Sequence, residues 1–330
     1  MKSVAELGER RIIEIILQQL EPMPDMPVPF GDDVSAFEIR DSAKLIVVKT
    51  DMLIGKTDVP PRMSLWQASR KAVVMNISDM AAKGVRPIGL LVSLGLPRGL
   101  TEKDIEQIGS GLNAGAREYD SYVLGGDTSE SSDFVVSCSA FGACQKDSLM
   151  LRSGAQPGEV VAVTGPFGNT AAGLKILKEN LPVSKRLKET LIDSVFMPHA
   201  RLNEGLALAQ TGTVTASIDS SDGLAWSLHE ISKASNVGFI IDKLPIAQET
   251  TRFADLFDLD PTGLCLYGGE EYEIVVTVKR KLFARARKRV PLIKIGRVTK
   301  EPVLTLKLDR KKIRIEARGW EHFKSGRPES

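Results

Sequence analysis

Cysteine and histidine are scarce, with three of each in 330 residues. Cys138, Cys144 and Cys265 are odd in number and form no Cys-x-x-Cys pair. That excludes a disulfide framework and a thiolate zinc site, and predicts reduced, buried thiols. His199, His229 and His322 lie at spacings that match no metal motif. An excess of one charge is also lacking: 44 Lys plus Arg against 42 Asp plus Glu leave a net charge of +2, which speaks against a nucleic-acid binder. The basic run Lys279 to Arg289 contains only Phe283 as an aromatic, so it reads as a solvated helix face rather than an RNA site. No apolar run approaches ~18 residues, so no membrane span is expected. Apolar residues at the start recur at helical spacing between Glu6, Glu9, Arg10, Arg11 and Glu14. That pattern predicts an amphipathic helix, not a signal peptide, and a cytoplasmic protein. Two phosphate motifs are missing as well. The loop GPFGNTAAG (165–173) lacks the Lys-Ser/Thr ending of a P-loop, and the protein-kinase signature is absent.

Hydrophobic residues at 42% suffice for a sizeable core, and the length suits two domains. The turn-rich LRSGAQPGE (151–159) separates them, predicting domains 1–148 and 149–330. Apolar, partly β-branched runs predict strands at Leu45–Val48, in PIGLLVSLGL, in FVVSCSAFGAC and in EVVAVTG. Helical spacing covers Ser64–Ala82, and a second helix opens at a Thr101 cap with Asp104 in its first turn. SYVLGGDT reads as a strand ending in a glycine turn, and the tail VLTLKLDRKKIRIEARGWEHF alternates like edge strands. Strands and helices do not follow strict βαβ order, so the fold class is α+β with mixed sheets.

What is abundant is acid in a particular setting. Six segments are expected to hold Asp or Glu at strand ends or tight turns: Gly31–Asp33, Thr50–Asp51, Asn76–Asp79, Gly125–Thr128, Asp219–Gly223 and Gly268–Glu273. Turns favour Asp and Gly for their own reasons, and Ser221 or Asp222 would serve as a helix cap. Six such segments together point further. Gathered carboxylates repel one another and need a cation, and hard oxygen donors select Mg²⁺ or Ca²⁺. Mg²⁺ takes one or two carboxylates and fills its shell with water and phosphate, so carboxylates on several segments suggest several Mg²⁺ ions around a polyphosphate. Asp32 and Asp33, if extended, point opposite ways, leaving one of them as a ligand. Arg152 is a candidate phosphate clamp because guanidinium matches phosphate geometry.

Taken in order, GDD, TDML, NISDMAAKG, GGDT, LRSGAQPGE, SSDGL and GGEEYE resemble the thiamine-monophosphate kinase family. That family shares a superfamily with aminoimidazole ribonucleotide synthetase, a hydrogenase-maturation protein and selenophosphate synthetase. The likeness runs from about Gly31 to Phe323; GGEEYE and the terminal GWEHF favour the thiamine enzymes. The resemblance implies an N-terminal domain whose mixed sheet forms a β-barrel across a homodimer, with ATP in clefts there, and a C-terminal α/β sandwich domain. It implies Asp33, Thr50, Asp51, Asp79, Asp127, Asp219 and Asp222 as magnesium ligands. It implies Gly126, Asp127, Arg152 and Ser221 as ATP contacts, and Glu270 and Trp320 as contacts to the thiamine moiety.

Two positions depart from the pattern. Asp58 stands where a substrate-contacting histidine is frequent, and is carried as a substrate candidate. Lys49 precedes Thr-Asp where bacterial members carry Ser.

The implied reaction is phosphorylation of thiamine monophosphate by ATP. The acceptor phosphate has a second pKa of about 6, is mostly dianionic and needs no general base. Direct in-line transfer is expected, with no catalytic base or nucleophile. Two alternatives stand beside it: another ATP-dependent enzyme of the superfamily, such as a ring-forming ligase or maturation factor, and a non-catalytic Mg-nucleotide-binding subunit.

Overall fold

The computed structural model describes residues 3–21, 23–39, 42–308 and 311–323. The first sheet has five strands: β1 (Ser35–Glu38), β2 (Lys44–Ile54), β3 (Pro87–Leu96), β4 (Val123–Glu130) and β5 (Val135–Gln145). Their order is β1-β2-β5-β3-β4, with only β3 and β4 parallel. The second has seven: β6 (Val160–Val163), β7 (Val214–Asp219), β8 (Gly238–Ile241), β9 (Ile274–Val278), β10 (Ile293–Thr299), β11 (Leu304–Leu308) and β12 (Lys311–Arg314). Their order is β12-β11-β8-β10-β6-β9-β7, with only β8 and β11 parallel. Both sheets are mixed, as an α+β chain requires. Among the described residues neither closes on itself, so no barrel exists within one chain.

The strand β2 explains the division of faces. Leu45, Val47 and Leu53 are buried at alternate positions and pack towards the helix Leu65–Ala82. Lys49 and Asp51 share that face by the two-residue period. Thr50 and Met52 look the other way. TDML therefore lies inside an eleven-residue strand, not at a strand end. GGDT is likewise inside β4, not in a turn. The reason is a close approach: a Cβ at Gly126 would run into the Val92 carbonyl oxygen of β3. A glycine that permits strand contact resembles a turn glycine in sequence. The tail does form strands, β11 and β12, but only β12 is an edge strand, since β11 pairs with both β12 and β8; residues 309–310 between them lie outside the described residues.

The helix Leu65–Ala82 is the axis of the molecule. Ser64 caps it: its hydroxyl accepts from the Gln67 amide at 3.2 Å, while Gln67 accepts from the Ser64 amide at 2.9 Å. It stops at Gly84, whose φ of 68° suits glycine. Fourteen of its residues are buried, among them Arg70, Lys71, Asn76, Ser78 and Asp79. It packs on β2 and β5, on the helix Glu102–Glu118, on the helix Leu202–Thr211 and on β7. Gly111 and Gly115 bring the helix Glu102–Glu118 close, because a Cβ there would strike the backbone of Trp66 or Arg70. A charge so buried must be paired. Arg70 donates to Glu118 from Nε and Nη2 at 2.9 Å each, and to the Pro198 carbonyl at 3.0 Å.

In the second sheet, β6 and β9 are buried at every position. Val161, Val163 and Val275 face one core and Val160, Ala162 and Val276 the other, so apolar residues are continuous rather than alternating. Residues 3–20 contain two helices, Val4–Leu7 and Glu9–Leu17, where one was expected. They break at Gly8, which adopts φ 73°. Neither contains a buried residue, and Pro22 lies outside the described residues. Among the described residues no helix is long and apolar enough to cross a membrane.

Candidate functional site

Three acidic segments distant in sequence meet where the helix Leu65–Ala82 joins the two sheets. Carboxylate oxygens of Asp33, Asp79 and Asp219 lie within 4.8 Å of one another, and all three residues are buried. Asp33 comes from the turn before β1, Asp79 from the helix rather than a turn, and Asp219 from the end of β7.

Like charges this close are held by what surrounds them. Burial pushes the Asp79 carboxyl well above the usual range; Lys49 opposes this, while Asp219, Asp51 and Asp33 add to it. Burial, then neighbouring Asp33, push Asp219 up to about 7, against a 2.8 Å hydrogen bond from the Ser78 hydroxyl. Burial also acts on Asp33, but the cations Arg152 and Lys83 outweigh it and hold the group below its ordinary value. This is a hard, oxygen-only donor set with unneutralised charge, and it fits Mg²⁺.

Lysines and arginines complete the shell. The Lys83 ammonium lies 2.7 Å from both Asp32 Oδ1 and Asp33 Oδ2. The two neighbouring aspartates therefore converge on one cation, because Gly31–Val34 is a turn and not the extended segment that would send them apart. Lys83 also donates to the Ser217 carbonyl at 2.8 Å. Arg152 donates to Asp33 Oδ1 from Nε at 2.6 Å and to the Gly31 carbonyl at 2.8 Å, and lies 3.5 Å from Glu230. Lys49 lies 3.1 Å from both Asp51 and Asp79.

The remaining predicted residues divide. Asp51 joins the cluster through Lys49. The Thr50 hydroxyl does not: it donates to the Cys138 carbonyl at 3.2 Å and accepts from Ser139 at 2.9 Å, on the opposite face of β2. Gly126 and Asp127 lie on exposed β4, with Asp127 beside Ser93 of β3. Ser221 and Asp222 form the turn after β7; neither caps the following helix, whose cap position is Gly223. Asp222 lies 3.9 Å from Arg10 and accepts the Trp320 amide through its carbonyl at 3.1 Å.

GGEEYE forms the loop before β9, next to that turn. The Glu270 amide donates to the Ser221 carbonyl at 2.6 Å. Glu270 and Tyr272 take φ of 62° and 52°, a conformation costing roughly 1–2 kcal/mol each outside glycine and concentrated at working sites. The Glu270 carboxylate pairs with buried Lys71. Trp320 is 44% exposed, and a Cβ at Gly269 would meet the Ser221 carbonyl oxygen at 2.7 Å and Trp320 Cβ at 3.5 Å. Asp58 is turned inward: its carboxylate accepts the Ile54 amide at 2.7 Å and its carbonyl accepts from Lys71 at 2.9 Å. It closes a local turn.

Sequence reasoning passed over Lys71, Ser78 and Lys83. The available signal was their setting: a lysine inside an apolar, small-residue helix and another at its end have no solvent to reach and must meet acid.

Two family matches cover most of the chain. Residues 31–144 match the AIR synthase related protein N-terminal domain and residues 156–309 its C-terminal domain. The thiamine-monophosphate kinase of Nitrosopumilus maritimus is 33% identical over 326 residues, 97% of this chain and 100% of its own. That of Pyrococcus horikoshii is 33% identical over 98% of each. Among solved structures, AaThiL complexed with AMPPCP and TMP superposes with a TM-score of 0.84 at 28% identity, covering 98% of this chain and 99% of its own.

Proposed function

Since the chain belongs to the AIR synthase related family, among its thiamine-monophosphate kinases, we propose that it converts thiamine monophosphate and ATP to thiamine diphosphate and ADP by direct in-line transfer with several Mg²⁺ ions. The observation that carries the chemistry is the buried set Asp33, Asp79 and Asp219 at the junction of the two sheets. Divalent cations bound there would neutralise the two anions that must meet and the equatorial oxygens of the transferring group.

The chain's own residues supply position. Asp33, Asp79 and Asp219 form the inner ligand set. Asp51, Asp127 and Asp222, with Thr50, are proposed around it, Thr50 through its main chain because its hydroxyl is engaged elsewhere. Gly126, Asp127, Arg152 and Ser221 are proposed to meet ATP. Glu270 and Trp320 would hold the thiamine moiety, Trp320 by stacking. Lys71 locks the Glu270 side chain and the Asp58 carbonyl, so Asp58 serves as support for this wall. No residue acts as base or nucleophile, because the acceptor phosphate, with its second pKa of about 6, is already a dianion.

We divide the work between residues 1–148 and 149–330, and place the protein in the cytoplasm as a homodimer. The dimer rests on the outer face of the first sheet. Met52, Ile88, Leu91, Tyr122 and Leu124 are exposed there, and β4 is exposed along its length. A contiguous apolar face of this kind is an interaction surface, and a second copy would close the open sheets against each other. The test is ADP release from ATP with and without thiamine monophosphate. Release only with thiamine monophosphate supports the kinase; near-normal turnover of Asp79→Asn at saturating Mg²⁺ sinks the metal assignment.

A further inference from the structure

We propose that the Lys49 ammonium takes the place of one divalent cation, so that this kinase binds one metal ion fewer than the same carboxylate site would with a small neutral residue, such as serine, at position 49. The inference rests on the Mg-dependent reading of the site above. Its basis is position. Lys49 and Asp51 are two apart on β2, so they project from the same face. Asp79 approaches from the helix opposite, and Lys49 Nζ lies 3.1 Å from a carboxylate oxygen of each. A Mg²⁺ bridging the two would sit ~2.0–2.1 Å from each oxygen. Nζ and such an ion claim the same space.

The charge pattern agrees. Asp32, Asp33, Asp51, Asp79 and Asp219 bring five carboxylates to the junction, against the three cations Lys49, Lys83 and Arg152. Lys83 and Arg152 are committed to the Asp32–Asp33 turn. Lys49 alone serves the Asp51–Asp79 side, and only about a fifth of its side chain is exposed (18%). What it leaves without a direct cation is Asp219, at the far end of the Asp79–Asp219 edge: among the described residues its carboxylate has only the Ser78 hydroxyl as hydrogen-bond donor. Lys49 thus confines metal to that edge. A tethered ammonium also exchanges with nothing and survives chelation, so the metal-free fold keeps part of its charge neutralisation.

The experiment counts Mn²⁺ bound to the full-length protein with a non-hydrolysable ATP analogue, by equilibrium dialysis and electron paramagnetic resonance, in wild type, Lys49→Ser and Lys49→Met. Lys49→Ser is expected to bind one more ion than wild type. It should melt lower than wild type in EDTA and recover when Mn²⁺ is added. Lys49→Met fills the space without charge and should melt lower in EDTA without gaining the ion. An equal count in wild type and Lys49→Ser overturns the proposal. Should the variants fail to fold, the wild type decides: anomalous Mn²⁺ density bridging Asp51 and Asp79, with Lys49 displaced, also overturns it, whereas density confined to the Asp79–Asp219 edge supports it. Turnover enters none of these readouts. Absent ADP release with thiamine monophosphate would therefore refute the acceptor and leave the count intact.

Discussion

Replacing Asp219 with asparagine should stabilise the metal-free protein while removing its activity. The carboxyl sits buried at the end of β7, where burial and Asp33 push its pKa from an ordinary 3.8 to about 7. The folded value lies above the unfolded one, so the native state holds an extra proton between them. The group's contribution to stability is therefore greatest below about pH 4, and is lost as pH rises through about 7. Each pKa unit is worth about 1.36 kcal/mol, which bounds the penalty of the ionised form at roughly 4 kcal/mol above neutral pH. Relaxation and water entry reduce this, and ~2 kcal/mol is the expected gain for the amide, which removes the charge. Asparagine can still accept the Ser78 hydroxyl, so the comparison isolates charge. Thermal unfolding in EDTA near pH 8 should show a rise of roughly 4–8 °C, shrinking towards zero near pH 4. Adding Mg²⁺ should raise the melting temperature of wild type but not of the variant, and turnover should fall by about a hundredfold or more. A variant that melts below wild type in EDTA near pH 8, or keeps its turnover, would refute the argument that Asp219 is held charged for a metal.

The half-buried Glu271 titrates in the same direction, again through desolvation. Burial raises it to about 7 against the amides of Gly168 and Thr170, which donate to it at 2.6 and 3.1 Å. Glu271→Gln should gain up to ~3 kcal/mol near pH 8 and nothing near pH 4, read by denaturant unfolding across that range. Arg70→Met leaves the Pro198 carbonyl without the Arg70 donor and Glu118 with His199 alone among the described residues, and should lose ~2–3 kcal/mol in the same assay. Leu124, 58% exposed on β4, tests the dimer. Leu124→Arg should shift the mass measured by light scattering from two chains to one, and an unchanged mass removes that face from the interface. Trp320→Ala should raise KM for thiamine monophosphate roughly tenfold, the loss of one stacked ring, and leave KM for ATP unchanged. Equal changes in both would place Trp320 elsewhere.

Much of the site was legible because its residues sit in short motifs whose order survives folding. Asp33, Asp79 and Asp219 come from three such motifs, and they are the three that meet. The Thr101–Asp104 cap and the helix Leu65–Ala82 were legible too, since cap chemistry and helical period are local. What failed was what a partner outside the motif decides. Gly125 and Gly126 read as a turn because glycine punctuates turns; in the fold, the Gly126 position serves contact with β3. Asp58 reads as a substrate ligand by its place in the motif, yet its carboxylate is spent on the Ile54 amide. Lys71 lies in no motif and Lys83 is only the trailing lysine of NISDMAAKG, and their acidic partners arrive from other segments.

The helix Leu65–Ala82 has a consequence for how this sequence can drift over generations. Ser78 and Lys83 hold β7 of the second sheet, while Met80 between them lies against Gly142 of β5 in the first. Gly205 leaves no room for any side chain against the Ala81 carbonyl. One stretch of peptide is thus read by both halves at once. Each half is thereby denied an independent history: a change tolerated by one must suit the other in the same step. Inheritance of the two halves as a single block follows from the packing, and grafting a relative's second half onto this first half should succeed only when the helix travels with it.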